Sequence, residues 1–150
     1  IGSSLETLSL ADMVSKVVIE LQPLATEKDI AIFQNIPEDI SVSVNRNLFR
    51  KALSNIIGNA IRHSKDGAKI YADFDRDMHI LAVENTGVFL DEDNLENMFT
   101  PFYRADKSRS KVTGGSGLGL YIVKTILDLH HMGYQISNTD KGVAFYLKLN

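Results

Sequence analysis

Three polar residues at helical spacing and a knot of four glycines are where this 150-residue chain could do chemistry. Asn55 and Asn59 are four apart and Arg62 follows three later. At about 100° per residue they share one narrow helical stripe. Asparagine is a poor helix former, and a solvated stripe normally carries Lys and Glu, which this one lacks. Magnesium in nucleotide sites takes few protein oxygens beside the phosphates, and an amide oxygen suits it. A guanidinium one turn on could meet phosphate directly. The alternative is a plain polar face. In "TGGSGLGLYIVK", Gly114, Gly115, Gly117 and Gly119 precede an apolar run. Each glycine costs about 0.5–1 kcal/mol relative to alanine inside regular structure. Bare N–H groups at a helix start, aided by the helix dipole, favour an anion; a hinge is the alternative. Known phosphate loops do not match. Leu120 and Tyr121 follow Gly119 where a P-loop needs Lys and Ser or Thr, and Leu120 stands where the dinucleotide fingerprint needs glycine. The signatures that accompany a protein-kinase glycine loop are missing. In "VENTGVF", Asn85 with Gly87 at a strand end could accept from an adenine amino group, or simply turn the strand.

Helices and strands must position these residues. Apolar residues at Leu10, Met13, Val14, Val17, Val18, Leu21 and Leu24 predict a helix over 10–28, with Pro23 warning of a kink or an early end. Extended segments 30–36 and 40–44 flank the turn residues "PED". Asn45 caps a second helix reaching His63, its apolar face Phe49, Ala52, Leu53, Ile56, Ile57 and Ala60. "AKIYADF" and "HILAVEN" form a hairpin, a third helix spans about 117–131, and "YQISNT" and "VAFYLKLN" close a final hairpin around "DKG". Between 86 and 113 periodicity fails, as in a functional lid. Helices on one face of a mixed, largely antiparallel sheet is the economical architecture, an α/β (α+β) two-layer sandwich. The composition, 44% hydrophobic and 23% charged with net charge −3, is that of a globular domain not held to nucleic acid by bulk charge. With no cysteine, disulfides, thiolate metal sites and a cysteine nucleophile are excluded. No apolar run approaches the roughly 18–20 residues of a membrane span. The opening residues contain no signal peptide and read as the start of a fragment.

In order and spacing, "NLFRKALSNIIGNAIRHS", "ILAVENTG", "MFTPFYR" and "GGSGLGLYIVK" resemble the N, G1, F and G2 boxes of sensor histidine kinases. The resemblance implies the Bergerat (GHKL) fold, a five-stranded mixed sheet backed by three helices with a long ATP lid, here about 88–116. It makes residues 9–150 the catalytic ATP-binding domain and residues 1–8 the remnant of a linker. Asn59 is then the Mg²⁺ ligand, and Asn55 contacts the phosphate-bound metal or its waters. Arg62 meets phosphates and His63 sits beside the nucleotide. Phe99 and Phe102 anchor the lid, and Gly115, Gly117, Leu118 and Gly119 cradle the phosphates. Arg104 adjoins the anchors and reaches phosphate or the partner helix, so Asn55, Asn59 and Arg104 are the catalytic candidates. Lys107, Arg109 and Lys111 read equally as a solvated basic loop. Asn85 stands where the G1 box usually has Asp, accepting without charge assistance. Gly87 matches that box's first glycine, and Phe89 replaces the second and is expected to narrow or fill the pocket mouth.

The resemblance implies transfer of the ATP γ-phosphoryl group to a histidine on a separate dimerisation domain, then to a response regulator. Related ATP hydrolases of the gyrase, Hsp90 or MutL type place a glutamate base where Asn55 stands, and an amide accepts no proton near neutral pH. An anti-sigma serine kinase and a degenerate binding module also compete, and "FTPFYR" favours the histidine kinase over them. His63, His79, His130 and His131 have no phosphoacceptor surroundings. His79 is expected in a hairpin, and His130 and His131 as cations suiting a helix end. The implied partners are the dimerisation domain and the regulator, within a homodimeric, membrane-anchored sensor whose present domain is cytoplasmic and touches neither membrane nor nucleic acid.

Overall fold

The computed structural model describes residues 4–100 and 119–150. Among these, a five-stranded sheet carries its helices on one face. The elements are β1 (Glu6–Ser9), α1 (Leu10–Glu27), β2 (Ala31–Asn35), β3 (Ser41–Val44), α2 (Arg46–His63), β4 (Lys69–Asp75), β5 (Ile80–Thr86), α3 (Glu92–Asn97), α4 (Gly119–Leu129), β6 (Gly133–Asn138) and β7 (Gly142–Lys148). The sheet order is β2-β4-β5-β7-β6, with β2 parallel to β4 and every other pair antiparallel. The expected mixed, largely antiparallel sheet is present.

Burial follows the apolar stripes. Phe49, Leu53, Ile56 and Ile57 of α2 pack with Ile70, Leu81, Val83 and Leu147 of the sheet in one core. Each side chain of this kind stabilises the fold by about 1.5–3 kcal/mol when fully buried. The second helix begins where expected: the Asn45 side chain accepts from Leu48 N–H at 3.0 Å. Ser9 caps α1 in the same way through Asp12 N–H.

The structure departs from the sequence reading in several places. Pro23 neither ends α1 nor shortens it. The donor it lacks would serve the carbonyl of Ile19, and both residues lie on the exposed side, where water can substitute. Residues 6–9, with no expected element, form β1, which pairs antiparallel with β3 as a separate two-stranded ribbon. So β2 and β3, adjacent in sequence, do not pair. Gln34, an inward polar residue on β2, reaches Ala11 O at 3.0 Å and accepts from the Ser15 hydroxyl, tying the sheet edge to α1.

Helix ends also bear on the site. Lys28, just past α1, donates from Nζ to the carbonyls of Ile61, Arg62 and Ser64, holding the last turn of α2. Both α1 and α4 end in a left-handed residue that is not glycine, Asp29 (φ 54°) and His131 (φ 57°). Ile30 N–H then reaches Ala25 O, and Met132 N–H reaches Leu127 O. His130, expected as a helix-end residue suiting the dipole, lies enclosed in the fold. Its Nδ1 lies 2.8 Å from Ile126 O and Nε2 accepts from Asn45 N–H (3.0 Å), so the ring joins α4 to the start of α2.

Candidate functional site

Asn59, of the polar stripe on α2, lies on a cleft at the end of β5. Asn59 and His63 line this cleft with Asn85, whose backbone pairs with Ile70 of β4 and Val143 of β7. Apolar side chains form the rest of the walls, among them Ile56, Val83, Leu90, Met98 and Ile136. Asn85 is only 6% exposed, so a buried amide sits in an otherwise greasy slot. A flat heteroaromatic ring with a hydrogen-bonding edge suits such a slot.

The rim is built by the chain after β5. Gly87 takes φ 85° and donates its N–H to Lys141 O at 2.9 Å, a conformation glycine adopts without penalty. Leu90 N–H then donates to Asn138 Oδ1 (2.9 Å), and Asn138 Nδ2 donates to Leu90 O (2.8 Å). That two-way bond binds the rim to β6. Val88 and Leu90 face the cleft, while Phe89 is 60% exposed. The expectation that Phe89 narrows the mouth is therefore corrected, because the turn at Gly87 sends its ring to solvent. The Phe99 ring packs on the sheet, 5.1 Å from that of Tyr134 and 6.0 Å from that of Phe145, a cleft-wall residue.

Arg62 links the two chemical features of the sequence. A side chain on Gly58 would come within 3.2 Å of Arg62 Nη1, and one on Gly119 within 3.9 Å of Nη2. The guanidinium thus lies between the flank of α2 and the first described turn of α4. Burial lowers its pKa below the ordinary arginine value. No carboxylate pairs with it among the described residues. An uncompensated cation beside a helix start favours an incoming anion. One turn before Asn59, Asn55 Nδ2 is buried without a hydrogen-bond partner among the described residues. A buried donor left unmade costs about 1–3 kcal/mol. Phe102, Arg104, Gly115, Gly117 and Leu118 lie outside the described residues, as do Lys107, Arg109 and Lys111.

Residues 44–150 match the family described as histidine kinase-, DNA gyrase B- and HSP90-like ATPase. The chain belongs to this family. It is 36% identical over 146 residues to the sensor protein VanSB of Enterococcus faecalis, covering 96% of this chain and 33% of VanSB. It is 32% identical over 144 residues to the sensor histidine kinase CusS of Escherichia coli, covering 95% of this chain and 30% of CusS. The chain thus spans about a third of the length of these curated relatives. A nucleotide-free catalytic domain of histidine kinase ThkA superposes with a TM-score of 0.81 at 26% identity, covering 97% of this chain and 96% of that one. ThkA has also been solved with the response regulator TrrA. The chain is a catalytic, ATP-binding domain of the histidine-kinase type, with the expected five-stranded mixed sheet and helices; residues 101–116 of the expected lid lie outside the described residues.

In this ATPase-family domain, sequence reasoning finds the polar groups and misses the apolar walls. Val88, Leu90, Met98, Ile136 and Val143 carry no signal beyond hydrophobicity. Gly142 stands out in the sequence only as part of a turn. A Cβ there would sit 2.0 Å from Asn85 O, so β7 approaches the base of Asn85 only because residue 142 has no side chain. Its place at the end of the tight turn is the one available hint.

Proposed function

We propose that the chain is the ATP-binding half of a two-component sensor histidine kinase, supplying the γ-phosphoryl group to a histidine on a separate dimerisation domain, for relay to a response regulator. The observation that carries this reading is the convergence of Asn59, His63 and Asn85 on one cleft, with Arg62 spanning from α2 to Gly119. Asn85 meets the base edge and His63 lies beside the nucleotide. Arg62 and the turn at Gly119 take phosphate charge, continuing into Gly115, Gly117 and Leu118. Phe99 and Phe102 hold the lid, and Arg104 reaches the phosphates or the acceptor helix.

The donor set fits Mg²⁺ carried in with the triphosphate better than a resident metal. Among the described residues no group of three His, Asp or Glu side chains gathers to hold a cation. Asn59 offers one amide oxygen, with phosphates completing the shell. The unpartnered Asn55 Nδ2 would donate to a phosphate oxygen or to a metal-bound water. The ion's contribution is to neutralise charge on the phosphates. The protein's part is positioning. With an amide at Asn55 rather than a carboxylate, nothing on that turn takes a proton from water, which favours a kinase over a hydrolase.

The full-length protein is a homodimeric, membrane-anchored sensor with this domain in the cytoplasm. The names of VanSB and CusS as sensors support the sensor reading, and the ThkA–TrrA complex supports pairing with a response regulator. No helix among the described residues is long and apolar enough to cross a membrane. Isothermal calorimetry with Mg-ATP tests the reading. The native chain should bind, Asn59→Ala should not, and hydrolysis by the chain alone should stay near background. Absence of heat with both ATP and ADP would refute it, and rapid turnover by this chain would transfer it to the hydrolases.

A further inference from the structure

We propose that Asn85 broadens base selection in the cleft, so that the site takes 6-oxopurine nucleotides, of the inosine type, alongside adenine nucleotides. The inference rests on the nucleotide reading above. Asn85 is the most buried polar side chain of the cleft. Among the described residues no hydrogen bond engages its amide, so neither the oxygen nor the nitrogen end is committed. Asn138 shows the contrast: both ends of its amide are held by the backbone of Leu90.

The backbone of Asn85 has no comparable freedom. It is paired on both sides, to Ile70 and Val143. The start of β7 lies so close that a Cβ on Gly142 would reach 2.0 Å from the Asn85 carbonyl oxygen. What remains free is rotation of the terminal amide, a broad two-fold torsion. With Oδ1 toward the ligand, Asn85 accepts from a 6-amino group. Turned over, it offers Nδ2 to a 6-oxo group from the same place. A carboxylate at this position could only accept, and against a 6-oxo edge it would set acceptor against acceptor. An unmade buried hydrogen bond of this kind discriminates by about tenfold to a hundredfold or more.

The test is calorimetric titration of the native chain and Asn85→Asp with ADP and with IDP in the presence of Mg²⁺. IDP differs from ADP only at the 6-position and the adjoining N1 proton. The native chain should bind the two within about tenfold of each other. Asn85→Asp should widen the preference for ADP by at least a further tenfold. A native preference for ADP beyond tenfold overturns the proposal, as does an unchanged ratio in the variant. The native measurement stands even if the buried carboxylate unfolds the variant. Binding of ADP alone sinks this proposal and leaves the nucleotide reading intact, whereas no heat from either nucleotide sinks both.

Discussion

The Arg62 guanidinium lies half-buried between Gly58 and Gly119, with burial lowering its pKa and no carboxylate beside it among the described residues. It adds little to stability there, because desolvation costs free energy that no ion pair offsets. Arg62→Met should therefore leave the urea midpoint unchanged or higher. It should weaken Mg-ATP by about tenfold to a hundredfold, the worth of one or two charge-assisted bonds. A variant whose stability falls in step with its affinity would contradict an anion-binding role. At this scale the polar stripe was legible, since Asn55, Asn59 and Arg62 are unusual types at a meaningful spacing. The rim was not. Gly87 at φ 85° interrupts the alternation of a strand, so nothing local says that Val88 and Leu90 face inward and Phe89 outward.

At the scale of elements, the limits of α2 could be read from Asn45 and the apolar stripe, because capping and amphipathicity are local properties. The short ribbon could not. Four residues of β1 have too little pattern to announce a strand, and their partner β3 lies some distance along the chain. What holds the end of α2 could not be read for the same reason, since its carbonyls are bound by Lys28, just past the distant α1. The end of α4 yields a prediction. His131 occupies the left-handed position after the cap, where glycine is free of the Cβ penalty. Its side chain is exposed. His131→Gly should raise the unfolding free energy by about 0.5–1 kcal/mol, less the entropy glycine returns to the unfolded chain. Urea denaturation measures it, and a loss of stability would show that the exposed ring makes a contact the backbone argument omits.

Across the whole molecule, exposed ion pairs join segments distant in sequence. Glu6 meets Arg46 between β1 and α2, and Asp39 meets Arg76 between two turns. Hydrogen bonds from these arginines lower the carboxyl pKa values below 4.5 for Glu6 and 3.8 for Asp39, and Lys124, then Tyr134, does the same for Asp128. A carboxyl depressed by folding stabilises above its unfolded pKa, and that contribution is lost as pH falls through the folded value. Stability should hold through the neutral range and decline below about pH 4.5, with each surface pair contributing little. Glu6→Gln should make the acid limb of the urea midpoint shallower; an unchanged limb would remove this pair from the account. The sequence by itself determined most of the strands, the candidate chemistry and three of the four helices among the described residues, missing the short α3. It could do so because periodicity, capping and residue type are properties of neighbours along the chain. Only the tertiary structure decided that Asn59, His63 and Asn85 share a cleft, that β3 leaves the main sheet for β1, and that Gly142 admits β7 against Asn85. Those are distances through space between segments the chain brings together only when its apolar faces are buried.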